Sequence, residues 1–242
     1  MRSSLFILPL FIHFLWFLLI SSAKSTHFDY PKGGFERADP INPQLFFPCL
    51  KPIFDPEYGT FDPLVFPNYP VSFPPIAACP EVVNKNTVRF FAISRRNPTR
   101  ISSLKEIGKG SKISFFIHGY IEEYDSPEPI GSAMTLLKSN DWVVLVDWAR
   151  LANTRVFDRI RIPFVNAYLS LTNPILVGRI TCKCVKFLLD KHGIQIEDIL
   201  LVGLSGGAQT LGFLADYCRE RYEIRFNHMV GKLLLILEHF SK

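Results

Sequence analysis

The chain lacks a glycosylation acceptor. Only Asn97 has a threonine two places on, and the intervening Pro98 disqualifies it. It has no internal repeat. It has no basic stripe interleaved with stacking aromatics, so nucleic acid is a poor partner. Beyond residue 23 no segment is long and apolar enough to cross a bilayer. There are five cysteines, and Cys182 and Cys184 have no second Cys or His pair at ligand spacing, which leaves no zinc pattern.

What is present begins with a leader. Arg2 supplies a positive charge, and Leu5 to Ile20 is apolar except for Pro9 and His13. The small residues Ser21 and Ala23 follow, where a signal peptidase reads. Residues 1–23 are therefore expected to be a signal peptide, and the protein to be secreted. A secreted chain keeps disulfides, and an odd cysteine count leaves at least one thiol free or paired between chains. Cys49 with Cys79 is the expected pair, closing a loop for roughly 3–4 kcal/mol. Cys182 and Cys184 are too close to pair with each other, and at least one is expected to be a buried free thiol on a helix.

Residues 24–86 read as an irregular arm. Twelve of the eighteen prolines fall between Pro31 and Pro80. Proline removes a backbone donor, so regular elements should be few there. Six phenylalanines (Phe46, Phe47, Phe54, Phe61, Phe66 and Phe73) argue that the arm packs on something. Residues 87–242 read as an α/β domain. Apolar runs predict strands over Val88–Ile93, Ile113–Ile117, Trp142–Val146, Ile199–Val202 and Val230–Leu237. A turn is expected over Arg95–Pro98. Helices are expected over Ile130–Leu137, capped by Ser126 and Pro127, over Pro174–Leu189, and over Ala208–Tyr217. Strands alternating with helices predict a mostly parallel sheet with helices on both faces, with any catalytic residue just after a strand. Arg150, Arg155, Arg159 and Arg161 gather much of the mild positive charge. A solvated face is the plainer reading, and transient contact with an anionic lipid surface the alternative.

The chemistry is concentrated after Ile199–Val202. Gly203-Leu204-Ser205-Gly206-Gly207 places a serine on a strand-to-helix turn, the Gly-x-Ser-x-Gly arrangement of a nucleophile elbow. Gly203 and Gly207 allow the close backbone approach such a turn needs. The helix N-terminus offers N–H groups to a developing oxyanion. Phe115-Phe116-Ile117-His118-Gly119-Tyr120 is a second strand ending in a loop. The Tyr120 and Gly206 N–H groups are the candidate oxyanion donors, with Ser205 the nucleophile. His118 precedes the serine and reads as a residue that shapes its loop.

These segments resemble the pancreatic-lipase-like family of secreted lipases and phospholipase A1 enzymes, within the α/β-hydrolases. The resemblance rests on Lys112–Tyr120, on Val146-Asp147-Trp148, on Tyr168 and Gly178, on Leu201–Gly212, and on Arg95 with Asn97-Pro98. It spans about residues 87–220. Three positions depart from the family pattern: Leu204 and Gln209 stand where histidine is usual, and Gly206 where leucine is usual.

Gly231-Lys232-Leu233-Leu234 resembles the start of the strand that carries the family's acid, but no Asp-Pro-Ala follows. Glu238 is the one candidate acid, and a charged residue at a frayed end is its plainer reading. His192, His228 and His239 lack supporting context, and Asp147 reads as structural. Relative to the family, the α/β-hydrolase-type domain is expected to be incomplete at its C-terminus.

The resemblance implies a secreted ester hydrolase acting on lipid esters, weak or inactive as this chain. The alternative is a non-catalytic lipid-binding or storage relative. Neither reading calls for a metal or organic cofactor.

Overall fold

A computed structural model describes residues 51–66, 76–120, 122–152 and 163–232. Its centre is a six-stranded sheet. Strands β5 (Arg89–Ser94), β6 (Asn97–Ser102), β7 (Ile113–Ile117), β8 (Trp142–Asp147), β9 (Ile199–Leu204) and β10 (His228–Lys232) lie in the order β10-β9-β7-β8-β5-β6. The four from β10 to β8 run parallel, and β5 is antiparallel to both β8 and β6.

The central strands are apolar, but for Ser114 in β7 and the terminal Asp147 of β8, because both faces of the sheet are covered. On one face Phe115, Ile117, Val144, Val146 and Leu201 pack under helices α3 (Pro163–His192) and α4 (Gly206–Tyr222). On the other, Phe116, Val143 and Leu145 meet Ala133 and Leu137 at the end of helix α1 (Pro127–Leu136). Successive residues of β7 and β8 thus serve opposite layers. A short helix, α2 (Ala149–Ala152), follows β8.

Several elements differ from expectation. The turn expected over Arg95–Pro98 narrows to Arg95-Arg96, and Asn97 opens β6. That strand is largely exposed at a sheet edge, where proline's missing donor costs no ladder bond. Helix α3 does not start at Pro174 but runs through it. The residue before the proline is held from outside the helix. Asn173 donates to the Leu151 carbonyl at 2.9 Å and to Glu81 Oε1 at 3.2 Å, and accepts the Glu81 N–H at 2.9 Å. Helix α4 extends past Tyr217 to Tyr222.

The arm carries short antiparallel pairs: β1 (Ile53–Asp55) with β2 (Gly59–Phe61), and β3 (Leu64–Phe66) with β4 (Ile76–Ala78). Tyr58 and Phe61 join the core cluster beneath α3. Arg179 of α3 holds them, donating to the Tyr58 and Thr60 carbonyls at 2.8 and 2.7 Å, with its guanidinium 4.1 Å from the Phe61 ring centre. Cys79 is disulfide-bonded, and Cys49, its expected partner, lies outside the described residues. Cys182 bridges to Cys218, tying α3 to α4, while Cys184 is a buried free thiol whose pKa is raised by desolvation. The 182–218 pairing joins two helices that sequence spacing does not bring together. Beyond Lys232 the rest of the expected Val230–Leu237 strand, with Glu238 and His239, lies outside the described residues.

Candidate active site

From β7 the chain moves to β8 on one side, then returns to β9 on the other. The crevice between β7 and β9 is therefore the point where strand order reverses, the place where open α/β sheets bind ligands. Ile117 is paired with Gly203, so the loop after β7 and the turn after β9 emerge side by side.

Ser205 occupies the turn with φ 52° and ψ −115°, a backbone conformation costly for any residue but glycine. The surrounding glycines let it persist. A Cβ on Gly203 would fall 2.5 Å from the Gly207 carbonyl oxygen, and one on Gly207 only 2.0 Å from that of Ile117. Sheet and helix are in backbone contact here, so no side chain fits at either position. The Ser205 N–H donates to the Lys232 carbonyl at 2.8 Å, fastening the turn to β10. Gly206 opens α4, where the first N–H groups have no intrahelical acceptor.

The β7 loop reaches this turn. A Cβ built on Gly119 would lie 3.5 Å from the Ser205 Cβ. The Tyr120 ring lies on Gly206: a Cβ there would be 2.8–2.9 Å from three atoms of that ring. Burial pushes the Tyr120 phenol up to about 12, and its hydroxyl donates to Gln209 Oε1 at 2.8 Å. Ser205, Gly203, Gly206, Gly207 and Tyr120 are thus gathered at one place.

His118 is fully buried under Trp148. Its Nδ1 lies 2.8 Å from the Gly119 carbonyl oxygen, which makes Nδ1 the protonated nitrogen. Nε2 then accepts the Trp148 N–H at 3.3 Å, and the Trp148 indole donates to the His118 carbonyl at 3.0 Å. Both ring nitrogens are engaged in holding the loop. Asp147, also buried, pairs with Arg89 across the β5–β8 ladder.

Two side chains that sequence reading passed over belong to this place. Glu122 accepts the Gly119 N–H at 2.9 Å. Glu128, in the first turn of α1, is pushed up to about 7, first by its hydrogen bond with Glu122, then by burial and the Glu122 charge, against the opposing pull of Lys232. Nothing in residue type marks Glu122 or Glu128, because each acts through a contact made only when the loop is folded. Among the described residues no three His, Cys, Asp or Glu side chains converge as a metal site would.

A mostly parallel sheet with a strained serine on the strand-to-helix turn at its reversal point defines an α/β-hydrolase-type fold. No family model matches the chain. A phospholipase A1 of Vespa basalis is 26% identical over 140 residues, 57% of this chain and 44% of the relative. One from Vespa velutina is 30% identical over 104 residues, 43% and 34% respectively. One from Vespa affinis is 26% identical over 164 residues, 63% and 48%. The chain is thus a distant relative of Vespa phospholipases A1, and it spans less than half the length of each of these. Among solved structures, a carboxylesterase from Lactobacillus plantarum WCFS1 superposes with a TM-score of 0.34 at 12% identity, covering 71% of this chain and 55% of that one. A lipase/esterase from Lactobacillus plantarum gives 0.35 at 11%, covering 71% and 60%. Superpositions this loose bear no weight on chemistry.

Proposed function

We propose that this chain carries the nucleophile and oxyanion elements of a secreted carboxylic-ester hydrolase of the lipase and phospholipase A1 kind. Ser205 Oγ, giving up its proton to a base, adds to the ester carbonyl; the Gly206 and Tyr120 N–H groups hold the oxyanion; collapse breaks the ester C–O bond, and the alcohol portion departs with a proton, leaving an acyl-serine. Water then releases the fatty acid. The observation that carries this reading is the strained Ser205 at the sheet's reversal point, with the β7 loop against it. The distant likeness to Vespa phospholipases A1 supports lipid esters as the substrate class. Secretion rests on the leader read in residues 1–23.

The serine hydroxyl needs a base. Among the described residues, His118 is engaged at both nitrogens, His192 Nδ1 lies 2.7 Å from the Ile107 carbonyl, and His228 begins β10 at the end remote from Lys232. None of these three is placed as a base for Ser205, so turnover resting on them is expected to be slow, since losing the base in a serine triad costs orders of magnitude.

The test is exposure of the full chain to an alkyl fluorophosphonate, with peptide mass spectrometry and Ser205→Ala as control. Slow phosphonylation at Ser205, with chromogenic ester turnover close to the control, is expected. If Ser205 reacts no faster than surface serines such as Ser139, the hydrolase reading fails, and a non-catalytic lipid-binding relative takes its place.

A further inference from the structure

Two of the three elbow positions that depart from the resembled family, Gly206 and Gln209, are the two that hold Tyr120. The ring sits on Gly206 so closely that a methyl group there would overlap it, and the hydroxyl bonds Gln209 one turn further along α4. The ring also meets Trp148, tilted by 59° at 5.5 Å between ring centres. Trp148 is itself fully buried and bonded to His118. The Tyr120 side chain thus spans from the rigid end of β8 to the first turn of α4.

Tyr120 also contributes one of the two N–H groups assigned above to the oxyanion, and Gly206 contributes the other. They come from different segments, the β7 loop and the α4 start. Hydrogen-bond donors lower a barrier only when their positions are set in advance, because reorienting them during reaction consumes the gain. His118, bonded to Trp148, fixes the start of this loop, Glu122 closes on the Gly119 N–H within it, and the Tyr120 side chain ties it to α4 through Gln209.

We infer that the Tyr120 side chain, seated on Gly206 and hydrogen-bonded to Gln209, is a positioning residue that fixes the two oxyanion donors relative to each other. This rests on the hydrolase reading for its consequence, but not for its geometry. The absence of a side chain at 206 and an acceptor at 209 are then one adaptation: a larger residue at 206 would expel the ring, and an apolar residue at 209 would release it. The burial that pushes the phenol up to about 12 keeps it a neutral donor across the working pH range.

The experiment compares the full-length chain with Gln209→Leu and Gln209→Glu. Gln209 is exposed, so neither substitution threatens the fold. Glutamate keeps an acceptor oxygen for the phenol and leucine does not. Two readouts are taken: amide hydrogen exchange over residues 119–123, and the rate of phosphonylation of Ser205 by an alkyl fluorophosphonate. Gln209→Leu is expected to speed loop exchange and slow phosphonylation, each by about three- to tenfold, the worth of one hydrogen bond. The melting temperature should stay unchanged. Gln209→Glu should restore both. Gly206→Ala, which sets a methyl where the ring lies, should reproduce the leucine phenotype. Equal loop exchange in wild type and Gln209→Leu overturns the proposal, whatever the labelling. Exchange that responds as expected, in a wild type that does not label at all, leaves the positioning role standing and removes the hydrolase reading.

Discussion

The elbow and the arm are attached to the same sheet-and-helix body by opposite means. At the elbow, Gly203 and Gly207 bring backbone against backbone, and the absence of side chains is what permits contact. In the arm, long side chains do the joining. Arg179 reaches two arm carbonyls and the Phe61 face, Asn173 binds Glu81, and Lys183 pairs with Glu57 at 3.2 Å. Backbone contact holds atoms to fractions of an ångström but accepts no substitution. Side-chain anchors tolerate rearrangement, and each can be removed singly at moderate cost. A serine strained at φ 52° belongs with the first kind of attachment, since only over-determined surroundings keep such a conformation.

The largest effect should come from breaking the first kind. Gly207→Ala places a methyl 2.0 Å from the Ile117 carbonyl, and neither backbone segment can yield without moving sheet against helix. We expect a loss of about 4 kcal/mol or more, enough to leave little folded protein. Circular dichroism during a urea titration reads it, and a wild-type-like midpoint would show that β7 and α4 are not in the contact described.

Removing the Cys182–Cys218 bridge by a double change to alanine should cost roughly 3–4 kcal/mol, from the sequence separation of 36 it closes. Reductant should lower the wild-type melt by more than the variant's, which still holds the disulfide at Cys79. If reductant leaves the wild-type melt unmoved, the bridge does not bear on stability.

Arg179→Ala tests the second kind of attachment. Losing two charge-assisted bonds and the ring contact should cost about 2–3 kcal/mol and expose residues 51–66 to protease before the sheet unfolds. Arg179→Lys should not restore it, since one ammonium cannot span both carbonyls and lie flat on Phe61. Protection equal to wild type in either variant would mean the arm is held elsewhere.

A smaller effect follows from Glu128. Its folded pKa is raised, so its proton stabilises the folded state. That contribution is complete below the carboxyl's ordinary value of 4.5 and is lost as pH rises through about 7. Stability of the α1 and loop region should therefore fall between pH 5 and 8, and Glu128→Gln should flatten the slope. Hydrogen exchange across that range measures it, and an equal slope in the variant would place the titration on another group. The smallest change has the opposite sign. Gly212, exposed within α4, has nothing within 4 Å of an added Cβ, so Gly212→Ala should stabilise by up to about 1 kcal/mol. A destabilised variant would deny the contrast between crowded and open glycines.

The central strands were legible in sequence because each is a short apolar run between turn residues, and burial on both faces makes such runs continuous. The elbow was legible for a different reason: its glycines and serine are adjacent in the chain, so the strand, turn and helix that use them are local. β6 was not legible, since Asn97–Ser102 is exposed at an edge and lacks any apolar period. The continuation of α3 through Pro174 was hidden because Asn173 draws its support from Glu81 and Leu151, far off in sequence.

Sequence by itself determined the strand-turn-helix around Ser205, the alternation that makes an α/β sheet, and the pairing of an apolar strand with His118-Gly119-Tyr120. All of these follow from short-range sterics and hydrophobic periodicity. Tertiary structure alone decided that Tyr120 lies on Gly206 and bonds Gln209, and that Cys182 finds Cys218. Those contacts join segments separated by many residues. Such pairings depend on how whole layers stack, which no local pattern of residue types records.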